Sequence, residues 1–449
     1  MYQKILIANR GEIAVRIIRA CREMGIASVA VCSEADRDAL HAHLADECVC
    51  IGPGKPSESY LNAEQVLSAA VVTGAQAIHP GFGFLSENTR FARMCQECGI
   101  DFIGPSPESI EKMGDKAQAR RTMIQAGVPV IPGTRETMTD EAQAKALADE
   151  IGYPVIIKAA AGGGGRGMRV VNSPDQFGEL FRLAKGETMQ AFGDDRMYIE
   201  KYLAPARHIE VQILADRQGN TVYLGERDCS IQRRHQKMIE ETPASVLSDE
   251  LRNRMGETAV RAARAAGYYS AGTVEFLVDQ NQNFYFMEMN TRIQVEHPVT
   301  EMVTGIDLIK AMIRISAGEE LGLEQKDIVP RGHAIECRIS AEDPDHGFLP
   351  CLGTVENLNF PGGNGVRVDS YLYQGYRLSP YYDSMLAKVI VHADTRQEAI
   401  RKMRSALGET VLDGITTNLD FQYDLVGSKW FADNDVVSIN RMLEERCSS

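Results

Sequence analysis

Three consecutive stretches decide the reading of this chain: Gly272–Asp279 (GTVEFLVD), Gln280–Asn283 (QNQN) and Phe284–Asn290 (FYFMEMN). Two β-rich runs flank a polar four-residue loop, which is the sequence form of a β-hairpin. If Asp279 pairs with Phe284, Glu275 stands directly opposite Glu288, with Cβ atoms about 4.5–5.5 Å apart. Like charges placed that way repel unless a cation lies between them. Asn290 follows Glu288 at the two-residue spacing that keeps strand side chains on one face, and it adds a third oxygen. Such an all-oxygen set suits Mg²⁺ or Mn²⁺, held by one or two carboxylates together with substrate phosphates. The competing reading is an outward polar face ending in a frayed loop.

Working outward, 449 residues leave room for two or three domains with substantial cores. A net charge of −14 argues against binding nucleic acid or an anionic membrane surface. No apolar run approaches the ~20 residues of a membrane span. Arg10 and Glu12 fall too early for a secretory leader, so the expected location is cytoplasmic. The ten cysteines are scattered, and the one C-x-x-C, Cys95 and Cys98, has no second pair to complete a zinc site. Buried free thiols in a reducing compartment are expected.

From Lys4 the pattern alternates strand and helix. Ile5–Asn9 reads as a strand, Glu12–Met24 as a helix, Ser28–Cys32 as a strand, Ala63–Thr73 as a helix, Ala77–His79 as a strand and Glu87–Cys98 as a helix. This is the order of a doubly wound parallel sheet in an α/β protein. The first turn, Asn9-Arg10-Gly11-Glu12, lacks the three-glycine dinucleotide fingerprint. Proline and glycine between Pro105 and Gly133 mark a boundary, a smaller segment follows over 130–204, and a β-rich stretch runs from His208 to Asn290. A last unit begins near Pro330-Arg331-Gly332, with strand Met385–His392 and helix Arg396–Leu407.

The run Gly162-Gly163-Gly164-Gly165-Arg166-Gly167 lies between strand-like Val155–Ala159 and Met168–Val171. It is therefore a hairpin tip rather than a strand-to-helix turn, similar to the glycine-rich hairpin by which kinases cover nucleotide phosphates. Lys158, at the end of the incoming strand, can supply a cation there. Glycine lets backbone approach phosphate closely. Arg233, Arg234, His235 and Lys237 form a basic cluster in an acidic chain, a candidate anion pocket or an ion-paired surface strand. Cys229 beside them reads as a buried structural thiol before a reactive one. Arg292, Gln294 and Glu296 would point the same way if extended, and an arginine beside a carboxylate can hold an oxyanion while the carboxylate takes its proton. Arg338, between core-facing Cys337 and Ile339, reads as exposed when taken alone, as does Lys116 after Gly114-Asp115.

Together these motifs resemble the biotin carboxylases of the ATP-grasp superfamily. The resemblance also rests on Glu200-Lys201-Tyr202-Leu203, His208, Glu226-Arg227-Asp228-Cys229, Gln232–Lys237, Met289–Glu301, Asn9–Glu12, His79–Asn88, Ala334–Pro344 and Tyr381–Met385, and it covers essentially the whole chain. It implies an N-terminal α/β domain over 1–129, a mobile α+β ATP-grasp lid over 130–204, an ATP-grasp core with the metal site over 205–330, and an antiparallel β-rich α+β domain over 331–449. It implies that Lys116, Lys158 and His235 contact ATP, with Gly164 and Gly165 over the phosphates. Glu200, Lys201, Tyr202 and Leu203 would form the adenine hinge, with His208 near the ribose and Gln232 also on the nucleotide. Glu275, Glu288 and Asn290 would hold two Mg²⁺ or Mn²⁺ ions.

Lys237, Arg292, Gln294 and Val295 would seat bicarbonate, Glu296 would deprotonate it, and Arg338 would stabilise the biotin enolate. The implied reaction is ATP-dependent carboxylation of biotin through carboxyphosphate, the first half-reaction of acetyl-CoA carboxylase in fatty acid synthesis. No Met-Lys-Met-like biotinylation site is present, so biotin is expected on a separate carrier protein. Carboxyltransferase subunits and a homodimer are the other implied partners. A pyruvate or other acyl-CoA carboxylase subunit, an ATP-grasp carboxylate–amine ligase and a nucleotide-binding regulatory subunit are the alternatives. Two positions depart from the family pattern: Phe82 stands where tyrosine is frequent, and the tail from Val436 to Glu445 matches poorly.

Overall fold

The computed structural model describes residues 1–134, 136–160, 167–203, 205–234 and 236–448, without the side chains of 192 and 445–448. The chain forms two compact units. The first holds Met1–Glu111, Ile209–Val274 and Met289–Ser449; the second holds Lys112–His208 and Glu275–Glu288. Among the described residues no helix is long and apolar enough to cross a membrane.

In the first unit, Lys4–Ile7 (β1), Ala27–Cys32 (β2), Glu47–Cys50 (β3), Ala77–His79 (β4) and Asp101–Phe102 (β5) form a parallel sheet in the order β3-β2-β1-β4-β5. Ile5, Leu6 and Ile7 are all fully buried, as expected for a strand covered on both faces. Ile5 and Ile7 pack with Ile13, Ile17 and Ile18 of helix Gly11–Glu23. Leu6 packs on the opposite side with Val66 and Phe91 of helices Ala63–Thr73 and Thr89–Glu97. The sheet is doubly wound, as expected. The helix expected from Glu87 starts two residues later because the Asn88 side chain accepts from the Phe91 N–H at 2.9 Å and caps it.

The second unit contains Val155–Ala159 (β6), Arg169–Val171 (β7) and Met197–Lys201 (β8), an antiparallel sheet in the order β7-β6-β8. Helices Glu141–Ile151 and Pro174–Phe192 bring Ala144, Ala148, Phe177 and Phe181 onto Ile157 and Ile199. Since β6 and β7 pair with Val155 opposite Val171, the glycine run joins two antiparallel strands. Gly164 and Gly165 themselves lie outside the described residues.

An eight-stranded sheet supports the rest. It contains Arg207–Ala215 (β9), Thr221–Arg233 (β10), Gln236–Thr242 (β11), Ser270–Val278 (β12), Phe284–Asn290 (β13) and His333–Ser340 (β14), and also strands Met385–Ala393 and Val366–Ser370. Their order is β13-β12-β9-β10-β11-β14, then Met385–Ala393 and Val366–Ser370. β12 and β13 pass into the second unit at Glu275 and Glu288.

Two expectations are corrected here. The stretch His208 to Asn290 is not uniformly β: helix Asp249–Ala266 interrupts it, capped by Ser248 and burying Leu251, Met255, Ala259, Ala262 and Ala266. The hairpin turn also differs. The Asp279 N–H donates to the Asn283 carbonyl at 2.9 Å, the Gln282 N–H donates to the Asp279 carbonyl at 3.1 Å, and Gln282 takes φ +61°. Asp279 therefore closes the turn with Asn283, one residue before the expected Phe284. Its carboxylate accepts from the Asn281 and Asn283 N–H groups at 2.8 and 2.9 Å, which stabilises the left-handed residue between them.

Phe181 is buried and stacks on Phe177 with ring centroids 5.7 Å apart. Phe181→Ala should destabilise the chain by about 3–5 kcal/mol, measured as a lower urea midpoint by circular dichroism.

Candidate active site

Arg227 begins the site. It lies opposite Glu210 across β9 and β10 and is completely buried. Its Nε donates to Glu210 Oε1 at 2.5 Å, Nη1 to Gln212 at 2.8 Å and Thr300 at 2.9 Å, and Nη2 to Thr273 at 3.2 Å. A buried guanidinium with this many partners fixes the Glu210 carboxylate. The other Glu210 oxygen accepts from Lys237 Nζ at 2.5 Å. Lys237 Nζ also donates to Glu296 Oε1 at 2.6 Å and Gln294 Oε1 at 3.1 Å. From β14, Arg338 Nη2 donates to Glu296 Oε2 at 3.0 Å, and its Nε donates to Glu240 at 2.7 Å.

Glu296 is thus clamped by one cation on each oxygen, with its side chain only 2 % exposed. Burial pushes its pKa up, but Lys237, Arg338 and Arg227 outweigh burial and hold it well below the usual carboxylate value. Glu240, facing the same arginine, is pushed up to about 7 by burial, against the pull of Arg338. Cys229 is fully buried and its thiol is pushed up by burial, the structural reading expected for it. Glu210, Cys229 and Glu296 bring two oxygens and a sulfur within 4.8 Å of one another, but the Lys237 ammonium already sits against both carboxylates.

The segment after β13 is not extended, so the condition for Arg292, Gln294 and Glu296 to point the same way is not met. Gln294 and Glu296 both reach Lys237, whereas Arg292 turns away to Glu87 at 2.9 Å and Asn290 at 3.0 Å. The bend arises because helix His297–Thr304 starts immediately after Glu296, with Pro298 in its first turn and buried His297 Nδ1 within 2.7 Å of the Gln294 carbonyl. The Val295 carbonyl accepts from Lys388 Nζ at 2.8 Å. Arg338 is also corrected: its side chain is 18 % exposed and doubly ion-paired rather than free on the surface.

Arg292, Val295 and Arg338 line a cavity of about 530 Å³ with Arg10, Phe82 and Tyr382. The cavity lies at the C-terminal ends of β1 and β4, where the strand order reverses, the usual ligand position in doubly wound sheets. Asn9 Nδ2 donates to the Pro80 and Phe82 carbonyls at 2.7 Å each. A Cβ on Gly81, which has φ +63°, would meet Asn9 Nδ2 at 2.9 Å, so this close approach requires glycine. Arg10 is held by Asp36 at 2.6 and 3.1 Å, and the Tyr60 hydroxyl donates to Asp36 at 2.6 Å.

In the second unit, Lys158 Nζ donates to Glu200 at 2.5 Å, and Arg120 lies 3.7 Å from the same carboxylate. Lys201 Nζ donates to the Gly152 and Tyr153 carbonyls at 2.9 and 3.0 Å, and the Tyr202 N–H donates to the Pro154 carbonyl at 3.0 Å. These bonds tie the strand end, with Leu203 following, to the start of β6. Lys116 is exposed at the first position of helix Lys116–Gln125. His208 Nε2 lies 2.9 Å from Glu275; Glu275 is buried and Glu288 exposed. In the first unit, the Gln232 side chain donates to the Cys229 carbonyl at 2.7 Å. His235 lies outside the described residues. Sequence reading missed Glu210 and Glu240. Glu210 was accessible as an acid two residues from His208 on a strand opposite Arg227, whereas Glu240 carries no local signal.

Comparison with known proteins defines the class first. Residues 115–324 match the carbamoyl-phosphate synthase L chain, ATP binding domain, so the chain is an ATP-grasp ligase. Residues 1–110 match the biotin carboxylase N-terminal domain and 336–441 the biotin carboxylase C-terminal domain. Biotin carboxylase 1 of Bacillus subtilis is 56% identical over 97% of each chain. A Campylobacter jejuni biotin carboxylase in a β,γ-ATP complex superposes with a TM-score of 0.92 at 51% identity, covering 97% of each chain. The biotin carboxylase domain dimer of Hydrogenobacter thermophilus 2-oxoglutarate carboxylase, with MgADP, ADP and bicarbonate, gives 0.91 at 50% identity over 96% of this chain and 95% of that one. This chain belongs to the biotin carboxylase family.

Burial raises the Asp36 pKa, but Arg10 outweighs it and holds the carboxyl below its usual range. A depressed folded-state pKa contributes stability above the unfolded value and loses it as pH falls through the folded one. Asp36→Asn should therefore be less stable than the parent at neutral pH, and the difference should shrink below about pH 4. Urea unfolding of both proteins across a pH series measures it.

Proposed function

We propose that this chain carboxylates the ureido nitrogen of biotin on a separate carrier protein, consuming ATP and bicarbonate through carboxyphosphate. The observation that carries this reading is the Glu296 carboxylate, buried, ionised and held between Lys237 and Arg338. Bicarbonate is a weak nucleophile, and a carboxylate kept ionised beside two cations can take its proton while those cations hold the oxyanion. In this reading Lys237, Arg292, Gln294 and the Val295 backbone seat bicarbonate. When Glu296 gains a proton, its hold on Arg338 weakens, and the guanidinium turns its charge to the developing ureido oxyanion of biotin. The cavity lined by Arg292, Val295, Arg338 and Phe82 is the place for that ring.

Lys116, Lys158, His235, Gly164 and Gly165 are assigned to the triphosphate, and Glu200, Lys201, Tyr202, Leu203, His208 and Gln232 to the adenosine. Glu275, Glu288 and Asn290 would hold Mg²⁺ or Mn²⁺; the hard oxygen donors of this set fit such ions. When bound, the metal neutralises charge on the β- and γ-phosphates. The domain division proposed is 1–129, 130–204, 205–330 and 331–449, working as a homodimer in the cytoplasm. The partners proposed are a biotin carrier protein and carboxyltransferase subunits of an acetyl-CoA carboxylase. Likeness to the biotin carboxylase domain of a 2-oxoglutarate carboxylase supports a second reading, delivery of the carboxyl group to another acceptor.

ATP hydrolysis by the purified chain should require bicarbonate and rise on adding free biotin. Stimulation by an amine instead of biotin would point to a carboxylate–amine ligase. Arg338→Ala should lower biotin carboxylation by about 10²–10³-fold while leaving ATP affinity near that of the parent; equal loss of both would remove the role assigned to this arginine.

A further inference from the structure

The nine cysteines with described side chains are all free, and Cys48, Cys50 and Cys98 are exposed, against the expectation of buried thiols. Three of the nine converge on the edge of the parallel sheet. In the β2–β3 register Ala30 pairs with Cys48 and Cys32 with Cys50, so the three side chains share one face. Cys32 is 4 % exposed, and its Sγ lies 3.5 Å from Cys48 Sγ, in hydrogen-bond contact. β3 is the outermost strand, so solvent reaches Cys48 and Cys50 directly.

We infer that Cys32, Cys48 and Cys50 form a peroxide-oxidisable thiol site whose product is a disulfide from Cys32 to β3, formed first with Cys48. Cys48 and Cys32 share a thiol hydrogen bond, this contact holds the Cys48 thiol below its ordinary pKa, and Cys48 is the exposed member of the pair, so it meets peroxide first. The Cys48 thiolate attacks hydrogen peroxide; an S–O bond forms, the O–O bond breaks, and hydroxide leaves to take a proton. The Cys32 sulfur then attacks the sulfenic sulfur. The S–S bond forms, the S–O bond breaks, and the departing hydroxide leaves as water with the Cys32 proton. Two thiols are oxidised by two electrons and one peroxide is reduced to two waters. Closing the bond brings the sulfurs from 3.5 Å to about 2.05 Å. Cys50, directly opposite Cys32, is placed to accept the bond by thiol–disulfide exchange.

The site adjoins the cavity. The residue after Cys32, Ser33, contacts the Tyr382 hydroxyl through its Oγ, and its N–H donates to Tyr60 Oη at 3.2 Å. Tyr382 lies under Arg10 at 4.1 Å and lines the cavity. A shift of β2 on oxidation therefore reaches the wall assigned to biotin.

The test is titration of the full-length protein with hydrogen peroxide, alkylation of the remaining thiols and mass spectrometry of a non-reduced digest. One equivalent should remove two thiols per chain and yield a peptide cross-link from Cys32 to Cys48 or Cys50, reversed by dithiothreitol. Cys32→Ser should give no such cross-link and should be labelled at Cys48 by a sulfenic-acid-specific 1,3-diketone. Cys48→Ser, at an exposed position, serves if Cys32→Ser does not fold, and should leave only the Cys32–Cys50 cross-link. Oxidation of Cys98 ahead of these residues, or absence of an intrachain cross-link, overturns the site. The oxidised protein should show KM for free biotin raised by about twofold to tenfold with KM for ATP unchanged; this arm rests on the proposed function. Unchanged kinetics at full oxidation would overturn the link to the cavity and leave the thiol chemistry standing.

Discussion

A buried carboxylate needs a buried cation, and Glu296 has two. Removing a carboxylate from water costs several kcal/mol unless paired charges and hydrogen bonds offset the loss. Here the compensation extends into a chain of alternating sign: Arg227, Glu210, Lys237, Glu296, Arg338 and Glu240 follow one another in contact. Each member fixes the next, so the position of Glu296 depends on charged side chains of β9 and β10 that it does not itself touch. Arg227, fully enclosed and hydrogen-bonded by four side chains, is the anchor of that chain.

The same electrostatics sets two neighbouring buried carboxylates apart. Glu296 and Glu240 share Arg338, and both are buried. Glu296 gains a second cation in Lys237 and stays ionised, whereas burial dominates at Glu240 and raises its pKa. Two like side chains acquire different protonation behaviour from the number of cations each touches. The parallel sheet adds a cavity at its C-terminal edge. Its strand order reverses between β1 and β4, and the chain leaving those strands diverges to leave the cavity.

Much of this was legible in the sequence. Continuous apolar runs gave strands within a residue or two of those observed, and Ala63–Thr73, Ala77–His79, Val155–Ala159 and Phe284–Asn290 agree to the residue. The strand-like runs on either side of the glycines pair antiparallel. Glu296, Lys237 and Arg338 stand out in the sequence, and Glu296 touches both cations. The errors share a cause. Arg292, Gln294 and Glu296 would share a face only in an extended segment, and the helix beginning at His297 bends it; loop length suggested pairing of Asp279 with Phe284, but Gln282 in a left-handed conformation shortened the turn. Helix Asp249–Ala266 buries Leu251 and Met255 but otherwise mostly small residues such as Ala259, Ala262 and Ala266, so its buried face carries few large apolar side chains.

Residue chemistry along the chain determined which groups are available: hard oxygen donors at Glu275, Glu288 and Asn290, cations around Lys237, and a doubly wound start to the fold. These depend on side-chain type and on periods of two or a few residues, which a linear reading contains. Tertiary structure alone decided the partners. Glu210 meets Lys237, Glu240 meets Arg338, and Cys32 meets Cys48 through strand registers that join residues 16 to 98 positions apart. Burial and the count of neighbouring charges follow from those registers, so protonation state and thiol reactivity are properties of the fold rather than of any local stretch.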